Sequence, residues 1–380
     1  MKFLRLLFVP FALLVVLAWR MGLPIRFGQI LGTRIGHMAG NLECYLCERE
    51  AGLSNGLDFW YYHGEPCSAQ LDKMLRRVIF IDRTPFTRIC SMVKELLFGL
   101  DNIDTLQVDR DIGNFFERQN PHLYFTPEEK RRGEAELRKM GIPAGAKWVC
   151  LIVRDAAYLP NLAYHSYRDS DVTTYEQAAL ALAERGYYVI RMGVKVAKAM
   201  GVIHQKIIDF ATNGQHTDFR SMYLGAHCAF ALSNGCGIDA IPVIFRRPIC
   251  YVNYVPIEYL QTYHKGSLAI WKHHEKDGKR MTLAEIYASG AGHFMAAEEF
   301  EEAKITLVDN TPEEITAAAM EMAGYFAVPG FTSYGGTGTE LLAQRDFWDA
   351  FPRSNSTYNQ RPLHGKINMR IGAEFLKGYQ

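Results

Sequence analysis

The sequence predicts an α/β protein of two doubly wound domains behind a hydrophobic N-terminal helix, and three observations lead there. The 380 residues are 48% hydrophobic and 22% charged, enough for two cores and too apolar for a disordered chain. Short apolar runs alternate with helical stretches on both sides of a linker-like segment, Gly141-Ile142-Pro143-Ala144-Gly145-Ala146-Lys147, as in successive βα units. The runs at 148–153, 228–232 and 249–254 are almost wholly apolar, as strands covered on both faces of a parallel sheet are.

In chain order, residues 6–19 form a nearly unbroken apolar run, with Lys2 and Arg5 before it and Arg20 and Arg26 after it. The run falls short of the roughly 20 residues that a spanning helix needs, and Pro10 interrupts it. A signal peptide cleaved after Val16 and Ala18 and a buried structural helix are competing readings. Arg20, Arg26 and Arg34 favour cytoplasmic retention, so residues 1–22 read as an uncleaved membrane-anchor or interfacial helix. Residues 23–140 follow as a first α/β domain, with a strand at 23–30, a glycine-punctuated loop, a helix at 41–50, strand-like runs at 57–62 and 78–81, and a charged helix at 127–140. Residues 141–310 form a second domain. Its strands fall at 148–153, 187–191, 228–232 and 249–254, and its helices at 174–185, 200–210 and 238–245. Residues 311–380 add a helix at 312–326, a glycine-rich stretch at 330–338, a helix at 340–351 and a polar tail. This extension is expected to pack back on the first domain.

Basic side chains number 42 against 41 acidic ones, a formal net charge of +1, so no broad field draws nucleic acid to the chain. Of the eight cysteines, Cys90, Cys150, Cys228 and Cys250 lie in apolar runs and read as small buried hydrophobes in a reducing compartment. Cys44-x-x-Cys47 with His63 and Cys67 has the letters of a zinc site, but the pair sits in an amphipathic helix rather than on a tight turn.

In open α/β sheets ligands bind beyond the carboxyl ends of the strands, which directs attention to three loops of the second domain. Ser233-Asn234-Gly235-Cys236-Gly237 leaves an apolar strand and opens a helix, where small residues and free amides suit phosphate oxygens, though such loops are as often plain turns. Arg154-Asp155 closes the strand at 148–153, and Tyr167-Arg168-Asp169-Ser170-Asp171 follows. Arg154 is placed to clamp a diphosphate, against the alternative of a surface ion pair, Arg154 with Asp155 or Arg168 with Asp169. Arg191-Met192-Gly193 repeats the arrangement, with a merely solvated Arg191 as its alternative. In the first domain His37, at the mouth of the glycine loop, is placed to deprotonate an acceptor hydroxyl or to serve as a cap. Glu43, further along the same helix, is the fallback base. The sequence has no GxxxxGK(S/T) loop, no HExxH and no GxGxxG after its first strand, which counts against P-loop, zincin and dehydrogenase chemistry. Asp169-Ser170-Asp171 begins a helix rather than ending a strand, so no metal-binding Asp-x-Asp is read there.

The chain resembles a bacterial family of glycosyltransferases found in surface-polysaccharide gene neighbourhoods. The resemblance is carried by Arg34-Ile35-Gly36-His37 with Leu46-Cys47-Glu48-Arg49, and by Val153-Arg154-Asp155 with Tyr167-Arg168-Asp169-Ser170-Asp171. It is carried also by the segment running from Gly186 to Gly193, by Ser233-Asn234-Gly235 with Arg247-Pro248, and by His364-Gly365-Lys366 with Arg370-Ile371-Gly372. More distantly, strand-Arg154 and strand-Arg191-x-Gly193 are similar to the donor domain of GDP-fucose-using enzymes. The histidine usual before that arginine is absent, since Ile152 and Val153 stand there. The resemblance implies a GT-B-like fold, with two Rossmann-like domains facing a cleft. It implies transfer of a sugar from a nucleotide-sugar donor to a glycan or lipid-linked acceptor at the cytoplasmic face of the inner membrane. Transfer is expected to be inverting and metal-independent, with no cofactor. His37 or Glu43 would serve as base, and Arg154, Asp155, Tyr167, Arg168, Arg191, Gly193, Ser233, Asn234, Gly235 and Gly237 would form the donor site. A GT-B-type nucleotide-sugar epimerase and a non-catalytic membrane-associated scaffold are the rival readings.

Overall fold

The computed structural model describes residues 8–99, 103–105, 108–157, 163–325, 338–352, 357–358 and 361–379. Tyr158, most of the glycine-rich stretch and residues 1–7 of the expected anchor lie outside them. The chain divides into two compact units, Met1–Phe125 and Thr126–Gln380. Both carry a parallel sheet with helices, as the α/β reading requires.

The first unit begins with α1 (Val9–Arg20), twelve residues long. Among the described residues no helix is long and apolar enough to cross a membrane. Ala12 joins Ile25, Phe27 and Cys90 in a cluster flanked by Val15, Trp19, Phe59 and Phe86, so one face of α1 belongs to the core of this unit. Strand β1 (Ile25–Leu31) pairs in parallel with β2 (Leu57–His63) and β3 (Ile103–Asp104). Between β1 and α2 (Leu42–Glu50) the chain makes a π-turn at His37–Asn41. The helix α3 (Ala69–Leu75) is followed by the apolar run 78–81, expected as a strand. Only Ile81 bridges to Trp60: the amides of Val78 and Ile79 return to Leu75 O, and Arg76 holds Ile81 O at 2.6 Å, so the run closes a helix end. Helix α4 (Phe86–Phe98) packs against α1.

The second unit starts earlier than the linker suggested. Helix α5 (Pro127–Lys139) seats Gly133 against the Tyr223 ring, and its Glu136 accepts from Arg220 Nε at 2.7 Å. Both partners lie on α7 (Asp218–His227), so a helix that reads as a charged surface element belongs to this unit. Strands β4 (Trp148–Ile152), β5 (Tyr188–Met192), β6 (Ile207–Asp209), β7 (Phe230–Ser233), β8 (Ile249–Tyr254) and β9 (Leu268–Trp271) join one sheet. Helices α6 (Glu176–Glu184) and α8 (Ala240–Ile244) lie between them in sequence. The helix expected at 200–210 is absent: Gly201 and the β-branched Val202, Ile203, Ile207 and Ile208 disfavour it. Instead, the Gly201 amide bonds to Glu176, the Met200 amide reaches Asp209, and β6 extends the sheet edge.

Beyond β9 come β10 (His273–Lys276), β11 (Lys279–Arg280), α9 (Leu283–Ser289), α10 (Ala297–Glu302), β12 (Thr306–Val308), α11 (Pro312–Tyr325), α12 (Gly338–Ala350), β13 (Thr357–Tyr358), β14 (Arg361–Pro362), β15 (Arg370–Ile371) and α13 (Ala373–Lys377). The seven-stranded order is β15-β9-β8-β7-β4-β5-β6, every pair parallel. Residues 311–380, expected on the first domain, complete the second: β15 adds to β9 and α11 packs on α6. Asn310 anchors this return, exchanging 2.6 and 2.5 Å amide bonds with the buried Asn253.

On β1, Gly28 sits against Trp60, where an added Cβ would lie 2.3 Å from a ring that is 1% exposed. Gly28→Ala is therefore expected to destabilise the first unit by about 1–3 kcal/mol, read as an earlier unfolding transition in urea. An unchanged midpoint would mean the ring has room to move.

Candidate functional site

The sheet of the second unit reverses direction at β4, since β5 and β6 are laid down on one side of it and β7, β8 and β9 on the other. Such a switch point parts the loops leaving the two central strands and opens a crevice at their carboxyl ends. The loops after β4 and β7 are joined there by Asn234, which is 1% exposed. Its Oδ1 accepts from the Arg154 amide at 2.9 Å, and its Nδ2 donates to Arg168 O at 2.9 Å.

Arg154 is held by Asp169, whose Oδ1 accepts from Nε at 2.9 Å. The contact is partly buried, and it joins residues of the two surface pairs expected from sequence, Arg154 with Asp155 and Arg168 with Asp169, in a different combination. Among the described residues the two terminal nitrogens of Arg154 have no hydrogen-bond partner. Burial raises the Asp169 carboxyl above its ordinary range, while Arg154 pulls it back. Arg168 donates to Gly235 O, and its buried Nε is unpartnered among the described residues. Arg191 is neither solvated nor an open clamp: at 1% exposure it donates to Lys198 O at 2.5 Å and Asp209 at 3.3 Å, with Nε unpartnered.

The phosphate loop departs from expectation. The Gly235 amide is taken by Ser233 Oγ at 3.1 Å and the Cys236 amide by Asp239 Oδ2 at 2.8 Å, while Ser233 Oγ donates to Asp239 Oδ1 at 2.7 Å. These amides order the loop instead of facing a ligand. Gly235 is required for its shape, with φ of +81° and a Cβ position 2.8 Å from the Tyr254 ring. Gly237 is exposed at the start of a short 3-10 turn. Tyr167 also leaves the site, because it is buried against Phe300 at a ring separation of 5.5 Å, and burial pushes its hydroxyl up to about 12. Gly193 allows close approach, its Cβ position lying 3.0 Å from Ala211 and Val196.

Beside the crevice a cavity of about 370 Å³ is lined by Val153, Asp155, Asp169, Asp171, Arg191, Lys198 and Asp309, among others, within the size range of small-ligand sites. Its carboxylates are compensated. Asp155 accepts from the Ala157 and Ala197 amides at 2.9 and 2.8 Å. Asp171 is brought down to about 2 by the Thr173 amide and then by Lys198. Asp309 meets the buried Lys272 at 2.8 Å. Lys272 and Asp309 arrive from far along the chain and carried no local sequence signal. Asp239 did carry one, standing three residues after Cys236 as a helix-opening acid does.

In the first unit His37 lies half-buried in the π-turn, with its pKa lowered by burial and then by Arg34. Asn41 Nδ2 donates to Thr105 O at 2.7 Å and meets His37 Nδ1 at 3.3 Å. The amide orientation is thereby set, Nδ1 is the acceptor, and the ring proton resides on Nε2. His37 thus presents a donor, and the nearby Asp109 carboxylate, which pulls the His37 pKa up, has no hydrogen-bond partner among the described residues. Sequence reading did not single out Asp109. Glu43 is 1% exposed and bonded to His122, which removes it as a base.

No family model matches this chain, and no curated protein matches it. Solved structures similar to it include a glycosyl transferase of family 9 from Veillonella parvula, 9% identical, covering 79% of this chain and 97% of that one at a TM-score of 0.47. Another is the E. coli ADP-heptose lps heptosyltransferase II, 12% identical, covering 80% and 100% at a TM-score of 0.43.

Burial raises Asp239 from an ordinary 3.8 to about 6. Because the folded value is the higher one, folding favours the protonated carboxyl. That contribution is complete below 3.8 and is lost as the pH rises to about 6. The melting temperature of wild type minus that of Asp239→Asn is therefore expected to fall across this window and to level off above it. A difference flat in pH would show an ordinary carboxylate.

Proposed function

We propose that the chain is a glycosyltransferase that moves a sugar from a nucleotide-diphosphate donor to a glycan or lipid-linked acceptor, by direct displacement with inversion and without a metal at the reacting phosphates. The observation that carries this reading is Arg154 at the switch point. Its backbone is fixed by Asn234 and its Nε by Asp169, while its terminal nitrogens are open. A fork so held suits two oxygens of a diphosphate, and the carboxylate-lined cavity beside it suits hydroxyls of ribose or sugar. As the acceptor oxygen bonds to the anomeric carbon, the bond to the diphosphate breaks and its electron pair leaves on the phosphate oxygen. Fixed positive charge acts most strongly on that developing charge. His37 and Asp109 of the first unit are the candidates for taking the hydroxyl proton.

The reading includes attachment to the cytoplasmic face of the inner membrane. All eight cysteines are free, in keeping with a reducing compartment. Phe11, Leu14 and Leu17 on α1 and Met92, Leu96 and Leu97 on α4 are exposed, Leu96 by 85%. Two packed helices thus present apolar side chains where α1 carries no acid and ends on Arg20. Such a surface suits insertion into the headgroup region of an anionic bilayer.

Thermal-shift titration with a panel of nucleoside diphosphates and their sugars tests the donor site. One nucleotide is expected to raise the melting temperature, stabilising by about 2.7 kcal/mol at a hundred times its Kd, and Arg154→Ala is expected to abolish the shift. His37→Ala and Asp109→Ala should keep the shift and lose roughly 10²–10⁴-fold in transfer rate. A flat panel with folded protein overturns the reading. For the membrane, Leu14→Glu with Leu96→Glu is expected to abolish co-sedimentation with vesicles containing phosphatidylglycerol. Undiminished pelleting would refute the α1–α4 face.

A further inference from the structure

Around α2 of the first unit three side chains of different chemistry converge. Glu43 Oε1, Cys47 Sγ and His122 Nδ1 stand 3.2 Å (Glu43 to His122), 3.9 Å (Cys47 to Glu43) and 3.9 Å (Cys47 to His122) apart. Among the described residues they are the one group of His, Cys, Asp and Glu close enough to share an ion. His63 and Cys67, weighed with the Cys44-x-x-Cys47 pair from sequence, are not part of it.

The protonation pattern points the same way. His122 Nε2 lies 3.2 Å from the Glu50 carboxylate, which only accepts, so Nε2 carries a proton. In the neutral ring Nδ1 is then a bare lone pair, yet it faces Glu43 Oε1, another acceptor, at 3.2 Å. A positive charge belongs between them. A proton on Nδ1 would satisfy the histidine and the carboxylate, with the Cys47 thiol donating to Glu43 over a long 3.9 Å and lying equally far from His122 Nδ1. A metal ion serves all three. With bond lengths near 2.0 Å to nitrogen and oxygen and near 2.3 Å to sulfur, tetrahedral zinc sets its ligands about 3.4 Å apart for N and O and about 3.6 Å apart when sulfur is one of them. The three observed separations lie within a few tenths of an ångström of that triangle. Glu43 and Cys47 are one helical turn apart and nearly inaccessible, and Glu50 holds the outer nitrogen of the ring as a carboxylate commonly does behind a metal-bound histidine.

We propose that Glu43, Cys47 and His122 bind a transition-metal ion of the zinc type, with the fourth position open to water. Binding releases the thiol proton, so Zn²⁺ is balanced by one thiolate and one carboxylate and the buried site is neutral. The ion ties α2, the helix that follows the His37 turn, to the segment bearing His122. It belongs to the first unit, whereas the diphosphate site belongs to the second, and it does not depend on the transferase reading.

Full-length protein stripped with chelator and titrated with Zn²⁺, and in parallel with Co²⁺, tests this. One equivalent is expected to bind, to raise the melting temperature and, for cobalt, to give a thiolate-to-metal charge-transfer band with intense tetrahedral ligand-field absorption. Cys47→Ser should abolish the charge-transfer band and His122→Gln should abolish stoichiometric binding. Glu50→Gln, a change at an exposed position, should weaken affinity roughly 10–100-fold, so the site stays testable if a buried variant fails to fold. Folded wild type that takes up no metal overturns the proposal, as does binding unchanged in His122→Gln and Glu50→Gln.

Discussion

The geometry of the switch-point loops depends on the side-chain amide of Asn234. Parallel strands bring β4 and β7 side by side, but nothing in backbone pairing links the loops that diverge from them at a switch point. Asn234 supplies that link by accepting from one loop at Arg154 and donating to the same loop at Arg168. Because the amide is buried, both bonds form in a low-dielectric setting where an unmade one is costly. The loop after β7 is ordered in turn by Ser233 and Asp239, which use up the amides that a phosphate would otherwise take. Rigidity here is achieved by consuming loop donors, which leaves arginine side chains as the groups that the proposed function assigns to the diphosphate.

A second constraint is charge balance at the carboxyl edge of the sheet. Asp155, Asp169, Asp171 and Asp309 line one cavity, and each is met by backbone amides or by a cation, from its own loop at Asp169 and from a more distant segment at Asp171 and Asp309. Asp155, Asp169 and Asp309 are partly buried and Asp171 is half exposed, and a carboxylate that gives up water is compensated in this way. The arrangement leaves polar oxygen toward the cavity while Arg154 stands at its side with nitrogens to spare. Under the proposed function, hydroxyls and a diphosphate are different demands, and adjacent parts of one surface suit them.

Much of the fold was legible in the sequence because its signals are local. Strands β4, β7 and β8 are apolar on both faces, and the helix at 127–139 carries its own capping box at Thr126 and Glu129. The misreadings arise where local preference and tertiary contact diverge. The 200–210 stretch has helical spacing in its apolar residues but β-branched content and a neighbouring strand edge, and the edge prevailed. Arg191 looked like a twin of Arg154, yet the lateral position of β5 places it under Lys198 and Asp209. Tyr167 and Glu43 sit in motifs that resemble functional ones and are spent in the core.

The sequence by itself determined the two-part α/β architecture, the strands with continuous apolar faces and the loops that carry Arg154 and Asn234, because periodicity and turn residues act over a few positions. Only the tertiary structure decided which of those polar groups stays available. Asp239 removes the Gly235 loop from ligand duty, Asn41 sets the tautomer of His37, and His122, seventy-nine residues from Glu43, turns a helical carboxylate into part of a cluster. Availability is a matter of partners, and partners brought together across long stretches of chain by core packing leave no mark on the local sequence.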